Sequence, residues 1–295
     1  MLRFLALLML APLAACATMS APPATPVFVS DRIGVEVHGA GPDVVLIPGL
    51  SSSPRVWDGT IAAVPGYRYH VVHVSGFSGR PAGANASGPV LAPVAEEIAR
   101  YIREARLVRP AIVGHSMGGS WAMMVAGRNP GLASRVMVVD MMPFMGAMFG
   151  GPSATPESLR PVAEQIRAGI SSGTGEARRG QIAQTIAGMV KTESLRSAIV
   201  AHSLASDPAV SGQGFYDLVV SDLRPDLARI AVPLTVLWVH PPGAPISEAQ
   251  MAAYYQASYA GRPGAVVRHI PDSYHFIMLD QPEAFRRELR EFLAR

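Results

Sequence analysis

The fold of this 295-residue chain is decided by the stretch Pro110–Gly118, which reads PAIVGHSMG. We predict a strand over Pro110–Val113 and a helix over Met117–Arg128, with the pattern G-x-S-x-G on the turn that joins them. Such a turn strains the backbone of Ser116 and exposes its hydroxyl at the C-terminal edge of a sheet, where ligands bind. The five letters alone are weak evidence. Their place between a strand and a helix makes Ser116 a candidate nucleophile.

Outward from this turn the chain alternates between strands and helices. Further strands are predicted at Ile33–His38, Val44–Ile47, Tyr69–Val74, Arg135–Asp140, Leu234–Val239 and Ala265–Ile270. Apolar residues at helical spacing predict helices over Ala95–Ala105 and Ser247–Tyr259 and a closing helix from Pro282, with Asp280 as its N-cap. Strands separated by helices of this length imply an α/β fold with a mostly parallel central sheet flanked by helices.

The alternation stops between Met141 and Arg229, where only helices are predicted. Their expected ranges are Pro156–Ile170, Glu176–Val190, Ser194–Ala205 and Phe215–Leu223. Because strands resume afterwards, this block is inserted into the sheet domain and not appended to it. We therefore expect a core from residues 27–140 and 230–295, with a helical cap insertion at residues 141–229.

From Val35 to its end the chain resembles the α/β-hydrolase superfamily. The resemblance rests on the turn Gly114–Gly118 and on the sequence Ser273-Tyr274-His275-Phe276 before the last helix. It implies that Ser116 is the nucleophile. It also implies that His275, in a loop between the last strand and the last helix, is the general base.

The same resemblance implies an oxyanion hole made of two backbone amides. One is the N–H of Met117, directly after the nucleophile, and the other is the N–H of Leu50 in Pro48-Gly49-Leu50. Members of the family often have histidine where this chain has Pro48. Because the backbone amides bind the oxyanion, we expect this difference to matter little.

The acid of the predicted triad departs from the usual pattern. Most of the family carries it just after the strand that corresponds to Leu234–Val239, but His240–Ile246 contains no carboxylate and Glu248 is the first. A minority carries it after the strand that follows the nucleophile, and Asp140 ends that strand here. We expect Asp140 to orient His275, with Glu248 and a dyad without an acid as alternatives. Asp140 could instead be a helix cap or loop anchor.

The N-terminus has the pattern of an export signal. A positive charge precedes the apolar run Phe4–Leu13, which is too short to span a membrane. Leu13-Ala14-Ala15-Cys16 resembles a bacterial lipobox, and Cys16 is the only cysteine of the chain. We expect residues 1–16 to be a lipoprotein signal peptide, Cys16 to be lipidated, and residues 17–26 to be a linker in the cell envelope. The alternative is an ordinary secretory signal.

Composition excludes some classes of partner. With 49% hydrophobic and 16% charged residues, the chain is typical of a globular enzyme and not of a disordered protein. Its 25 basic residues barely exceed its 22 acidic ones, and the arginines are scattered. No nucleic-acid partner is therefore expected. Contact with a membrane is expected only through the lipid anchor.

Together these features predict a serine hydrolase that cleaves an ester-type bond of a small or medium apolar acyl substrate, with no cofactor or metal ion. A serine nucleophile argues against epoxide hydrolases and dehalogenases, which use a carboxylate in this superfamily. It does not separate esterase from lactonase, thioesterase, amidase or carbon–carbon bond hydrolase. The alternative is a non-catalytic envelope protein that binds a ligand, and the missing carboxylate after Val239 favours it. The sequence gives no indication of oligomeric state.

Overall fold

The computed structural model describes residues 28–151 and 153–295, and its centre is a seven-stranded sheet in the order β1-β3-β2-β4-β5-β6-β7. The strands are β1 (Ile33–Gly39), β2 (Asp43–Ile47), β3 (Arg68–Val74), β4 (Ala111–His115), β5 (Arg135–Val139), β6 (Leu234–Trp238) and β7 (Val266–His269). The pairing of β1 with β3 is antiparallel, and the other five pairings are parallel. The predicted mostly parallel sheet is confirmed.

Helices lie between and after these strands. They are α1 (Asp58–Ala63), α2 (Leu91–Glu104), α3 (Met117–Arg128), α4 (Ala147–Gly150), α5 (Pro156–Ser172), α6 (Gly175–Met189), α7 (Glu193–Leu204), α8 (Pro208–Val220), α9 (Arg224–Arg229), α10 (Glu248–Tyr259), α11 (Ile277–Asp280) and α12 (Pro282–Ala294), with short 3-10 turns at Pro54–Trp57 and Gly83–Ala86. One face of the sheet packs against α2, α3 and α10, and the other packs against α1 and α12.

Side chains of β2 alternate between these two layers. Val45 and Ile47 belong to the cluster under α2 and α3, whereas Val44 and Leu46 belong to the cluster under α12. All four are fully buried. A strand buried on both faces gains hydrophobic stabilisation from every residue, which is why β2 reads as one continuous apolar run.

Between β5 and β6 the chain forms the six helices α4–α9, in the region where the sequence predicts the cap. Helix α5 packs along α8 around a separate apolar cluster, made of Phe144, Ala154, Leu159, Ala163 and Val219. Helices α6 and α7 pack elsewhere, because Ile186, Val190 and Ile199 join the core cluster under α12. The insertion thus contacts the sheet domain at two separate places.

The predicted helix Phe215–Leu223 was wrong at both ends, since the observed helix α8 is Pro208–Val220. Its start is set by Asp207, whose carboxylate accepts hydrogen bonds from the backbone N–H groups of Ala209 and Val210 at 2.8 and 3.0 Å. Pro208 occupies the first turn, where no backbone N–H is needed. These are capping signals, which apolar periodicity does not show.

Helix α8 also holds the insertion on the core. The carboxylate of Asp217, on α8, accepts hydrogen bonds from the N–H groups of Val90 and Leu91 at 2.6 and 2.9 Å. These donors lie at the N-terminus of α2, so a cap residue satisfies the open end of a core helix. Asp217 is buried, and Gln213 donates to its other oxygen at 2.8 Å.

Among residues 28–151 and 153–295, no helix is long and apolar enough to cross a membrane. The predicted signal peptide at residues 1–16, its lipidation site Cys16 and the linker at residues 17–26 lie outside the described residues.

Candidate active site

Ser116 stands alone between β4 and α3, on the predicted sharp turn. Its backbone has φ 54° and ψ −126°, a conformation that L-residues other than glycine rarely adopt. The turn is fixed by two hydrogen bonds, from the Ser116 N–H to the Val139 carbonyl at 2.8 Å and from the Gly119 N–H to the Ser116 carbonyl at 2.7 Å. Ser116 is partly exposed although both of its neighbours are fully buried. The strain thus presents this serine at the sheet edge.

Two glycines make the turn sterically possible. A Cβ atom on Gly114 would lie 2.0 Å from the Gly118 carbonyl oxygen, and one on Gly118 would lie 2.2 Å from the Ile47 carbonyl oxygen. Both clashes are with backbone, which cannot move aside as a flexible side chain can. Close approach of three backbone segments therefore explains both glycines of the G-x-S-x-G pattern.

The structure places Asp140 against His275. The Asp140 Oδ2 atom lies 2.6 Å from His275 Nδ1, and the two side chains are 11% and 21% exposed. Asp140 directly follows β5 in a left-handed conformation (φ 52°), and its N–H donates to the Leu237 carbonyl at 2.8 Å. Because a carboxylate oxygen accepts hydrogen bonds, this contact favours, in a neutral imidazole, the tautomer with its proton on Nδ1 and its lone pair on Nε2.

Glu248, the other candidate acid, does not contact His275. It lies at the first position of α10 with its side chain 64% exposed, and its Oε1 atom is 3.4 Å from Nδ1 of His269. The geometry thus brings Asp140, and not Glu248, to the predicted base.

Leu50 and Met117, whose amides are the predicted oxyanion hole, belong to two backbone segments that meet at Ser116. A Cβ atom on Gly49 would be 2.9 Å from the Ser116 Cβ, so the loop after β2 passes directly against the serine. The side chains of Leu50 and Met117 meet under α8, where a Cβ on Gly214 would be 3.0 and 3.3 Å from them. Met117 is the first residue of α3, where backbone N–H groups lack helical partners.

The loop after β2 is also joined to the insertion through serine hydroxyls. Ser51 has a positive φ of 55°, and its Oγ is 2.7 Å from the Oγ of Ser211 on α8. The hydroxyl of Ser206, just before α8, lies 3.3 Å from the Ser51 carbonyl oxygen and 2.9 Å from that of His202, and its one proton is shared between them. The backbone next to Leu50 is therefore held by the insertion as well as by the sheet.

His115 packs against the loop that carries His275, a role that the sequence did not indicate. Its Nε2–H donates to the backbone carbonyl of His275 at 3.0 Å, and its ring centroid lies 4.6 Å from those of His275 and Phe276. Complete burial lowers the pKa of His115 well below its usual value, so the ring is neutral. A neutral imidazole donates this bond without adding charge beside His275.

The expectation that Asp280 caps the last helix was wrong. Asp280 ends the short helix α11, and Gln281 is the residue before α12. The carboxylate accepts from the backbone N–H groups of Lys191, Thr192 and Tyr274 at 2.9–3.0 Å. Asp280 therefore joins the α6–α7 turn of the insertion to the loop that carries His275.

The other histidines of the sheet have structural partners. His70 lies between the Asp43 carboxylate at 2.9 Å and the Tyr101 hydroxyl at 2.6 Å, and His73 contacts the Phe77 carbonyl at 2.9 Å. Within the part of the chain that the structure describes, no three His, Cys, Asp or Glu side chains cluster so that they could hold a metal ion.

Known proteins are similar to this chain in sequence and in architecture. The sequence model of the Alpha/beta hydrolase family matches residues 44–288. A pimeloyl-acyl-carrier protein methyl ester esterase from Proteus mirabilis is 26% identical over 251 residues, which cover 82% of this chain and 92% of that protein.

Solved structures show the same fold. An enol-lactonase from Burkholderia xenovorans LB400 superimposes with a TM-score of 0.70 at 17% identity, covering 89% of this chain and 96% of the other. An esterase from Exiguobacterium antarcticum gives a TM-score of 0.73 at 20% identity, with the same coverage of 89% and 96%. With the family match over most of its length, the chain belongs to the alpha/beta hydrolase family.

Proposed function

We propose that the chain is a carboxylic ester hydrolase that works through an acyl-enzyme on Ser116. The observation that carries this proposal is the 2.6 Å contact between Asp140 and His275, in the same site as a serine on a strained turn. Positioned acid, base and nucleophile are the three parts that serine acyl transfer needs. The name of the relative from Proteus mirabilis, a methyl ester esterase, supports the ester class.

In the proposed reaction, Nε2 of His275 takes the Ser116 proton as Oγ forms a bond to the ester carbonyl carbon. The carbonyl electron pair moves to oxygen, and the N–H groups of Leu50 and Met117 stabilise that oxyanion. Collapse breaks the bond to the alkoxy group, which leaves as alcohol with the proton from His275. Water then attacks the acyl-enzyme with His275 as base, releasing the acid and restoring Ser116. Asp140 stabilises the imidazolium in both steps.

We further propose a substrate with a small or medium apolar acyl group. The side chains of Leu50 and Met117 are apolar and close to each other, and Met141 and Met142, which follow Asp140, are buried in the same core cluster. Methionine side chains adapt to different apolar shapes. Such surroundings favour burial of hydrocarbon over recognition of a charged group.

A substrate panel tests this function. We expect p-nitrophenyl esters to be hydrolysed, with kcat/KM rising from acetyl to a medium-length acyl chain, because each added methylene buries apolar surface. Matched thioester, lactone, amide and carbon–carbon bond substrates of the same acyl size should react with lower kcat/KM. Faster cleavage of the thioester, the amide or the carbon–carbon bond than of the ester would contradict the ester class. Faster cleavage of the lactone, which is a cyclic ester, would replace the open-chain ester as the substrate.

The alternative, a non-catalytic binding protein, loses the feature that favoured it. That feature was the missing carboxylate after Val239, and Asp140 Oδ2 lies within hydrogen-bond distance of His275 from another strand. A binding protein would have no need of a serine held at φ 54° directly after His115, whose ring packs against the paired histidine. We therefore propose the enzyme alone.

We propose that the enzyme is anchored in the bacterial cell envelope through Cys16. The support is the lipobox-like Leu13-Ala14-Ala15-Cys16 after a short apolar run, in a chain with no other cysteine. Several acyl chains on one cysteine would anchor a domain stably, and residues 17–26 would then serve as its tether.

Cys16→Ser is expected to move the protein from the membrane fraction to the periplasm or medium, with unchanged specific activity. The reason is that this substitution removes the lipidation site without touching the domain that starts after the tether. Fractionation with ester assays measures both. Wild-type protein that is soluble, with no lipid detected by mass spectrometry, would contradict the anchor.

A further inference from the structure

The Asp140 carboxylate has a second partner, on a helix that the triad does not otherwise use. While its Oδ2 atom contacts His275, its Oδ1 atom accepts a hydrogen bond from the Tyr255 hydroxyl at 2.8 Å. Tyr255 lies on α10, between β6 and β7, whereas Asp140 follows β5. Each oxygen of this carboxylate therefore has its own donor, from a different element.

Packing holds Tyr255 firmly in this position. Its side chain is 4% exposed, and its ring stacks on that of Trp238 with centroids 5.3 Å apart and planes inclined by 19°. One helical turn later, Tyr259 is also buried, and its hydroxyl donates to the Met141 backbone carbonyl at 2.7 Å. Two tyrosines of α10 thus donate hydrogen bonds to adjacent residues, Tyr255 to the side chain of Asp140 and Tyr259 to the backbone carbonyl of Met141.

The titratable side chains near the Asp140–Tyr255 hydrogen bond include His275, which contacts Asp140, Tyr254 and Tyr259, which lie near Tyr255 on α10, and His115, which packs against His275. His115, at the end of β4, is neutral because burial lowers its pKa. Burial also raises the pKa of Tyr255 and of Tyr259 well above the usual value, so both hydroxyls remain protonated donors. Tyr255 therefore keeps its hydroxyl proton and donates it in the hydrogen bond to Asp140 Oδ1.

We infer that Tyr255 is a positioning residue of the proposed triad, which orients the Asp140 carboxylate toward His275 and tempers its negative charge. The inference rests on the proposed function. The Asp140 side chain can rotate about its single bonds. A fixed donor on Oδ1 selects the rotamer that points Oδ2 at the imidazole of His275. The same hydrogen bond draws charge away from Oδ2, so the imidazolium is stabilised less than beside a free carboxylate.

Removal of this donor should therefore change how the enzyme responds to pH. In Tyr255→Phe, Asp140 keeps more charge on Oδ2, which favours protonated His275. We expect the acid limb of the kcat/KM profile to move up by about 0.5–1 pH unit, and kcat on its plateau to fall about tenfold. A residue that only fills space would not move the acid limb.

Tyr259→Phe is the matched control. It removes one hydroxyl and one buried hydrogen bond from the same helix, but that bond ends on the Met141 carbonyl and not on Asp140. We expect the two variants to lose similar thermal stability, while Tyr259→Phe keeps the acid limb of the wild type. Equal shifts of the acid limb in both variants would overturn the inference, because the effect would then be structural.

Comparison of Tyr255→Phe with Asp140→Asn separates an error in the role of Tyr255 from an error in the proposed function. If Asp140→Asn collapses kcat while Tyr255→Phe keeps the wild-type acid limb, the triad stands and the role of Tyr255 is overturned. If Asp140→Asn stays near wild type, the acid itself is misassigned, and both fall.

A second variant decides the matter even if Tyr255→Phe does not fold. Incorporation of 3-fluorotyrosine at position 255 alone keeps the ring and hydroxyl, and fluorine makes the hydroxyl a stronger donor. The acid limb should then move to lower pH, opposite to Tyr255→Phe. An unchanged or raised limb would overturn the inference.

Discussion

Ser116→Ala is expected to lower kcat for an ester substrate by roughly 10⁴- to 10⁶-fold while leaving the fold intact. The hydroxyl is the only group of this residue that the proposed reaction uses, and alanine meets the same backbone strain at φ 54° as serine does. The oxyanion amides of Leu50 and Met117 would remain, and they account for the residual rate. Steady-state assays on purified protein, with circular dichroism to check folding, measure both expectations.

Ser120→Ala is the matched control for this variant. Ser120 is buried on the same helix α3, one turn beyond the nucleophile, so its substitution also removes one serine hydroxyl from this region. We expect its kcat to stay within about threefold of the wild type, as for a residue outside the reaction. A Ser116→Ala enzyme that keeps more than a tenth of its activity would contradict the assignment, since a nucleophile cannot be dispensable.

Asp140→Asn is expected to lower kcat by roughly 10⁴-fold with little change in folding. An asparagine amide can donate to Nδ1 of His275, which favours the tautomer with its proton on Nε2 and so blocks the base. Glu248→Gln should cost less than about tenfold, because its side chain is 64% exposed and contacts His269 instead. One ester assay on both variants, with thermal unfolding, compares the two candidate acids directly.

Two outcomes would contradict the assignment of Asp140 as the acid of the triad. In the first, Asp140→Asn stays near wild type while Glu248→Gln collapses. In the second, Asp140→Asn merely unfolds the protein. Asp140 would then be a loop anchor, consistent with its left-handed backbone and its N–H bond to the Leu237 carbonyl.

Elements whose residues are neighbours in the chain could be predicted from the sequence. The β4–turn–α3 unit could be read from the sequence because an apolar strand, two glycines and a helix adjoin within one stretch, Ala111–Arg128. The parallel sheet followed from alternating strands and helices. In contrast, the start of α8 depends on the cap formed by Asp207 and Pro208, and the apolar spacing of that segment gave no sign of it.

Contacts that join distant segments were predicted only where a family pattern pointed to them. The resemblance favoured Asp140 over Glu248 as the acid, because Asp140 ends the strand after the nucleophile, and its Oδ2 atom lies 2.6 Å from His275 Nδ1. Tyr255 carries no local signal at all, since a tyrosine on a helix is ordinary core until its partner is known. Asp280 resembled a cap next to a proline, yet two of its three donors come from a turn almost ninety residues earlier.

The most direct test of the central claim, that Ser116 is an activated nucleophile, is its reaction with a fluorophosphonate. This reagent forms a stable bond only with a serine whose base is in place. Intact-mass and peptide mass spectrometry count the adducts and locate them. We expect one adduct per chain, on Ser116, and none in Ser116→Ala. A folded wild-type protein that takes up no reagent, or takes it up on another serine with Ser116 unmodified, would contradict it.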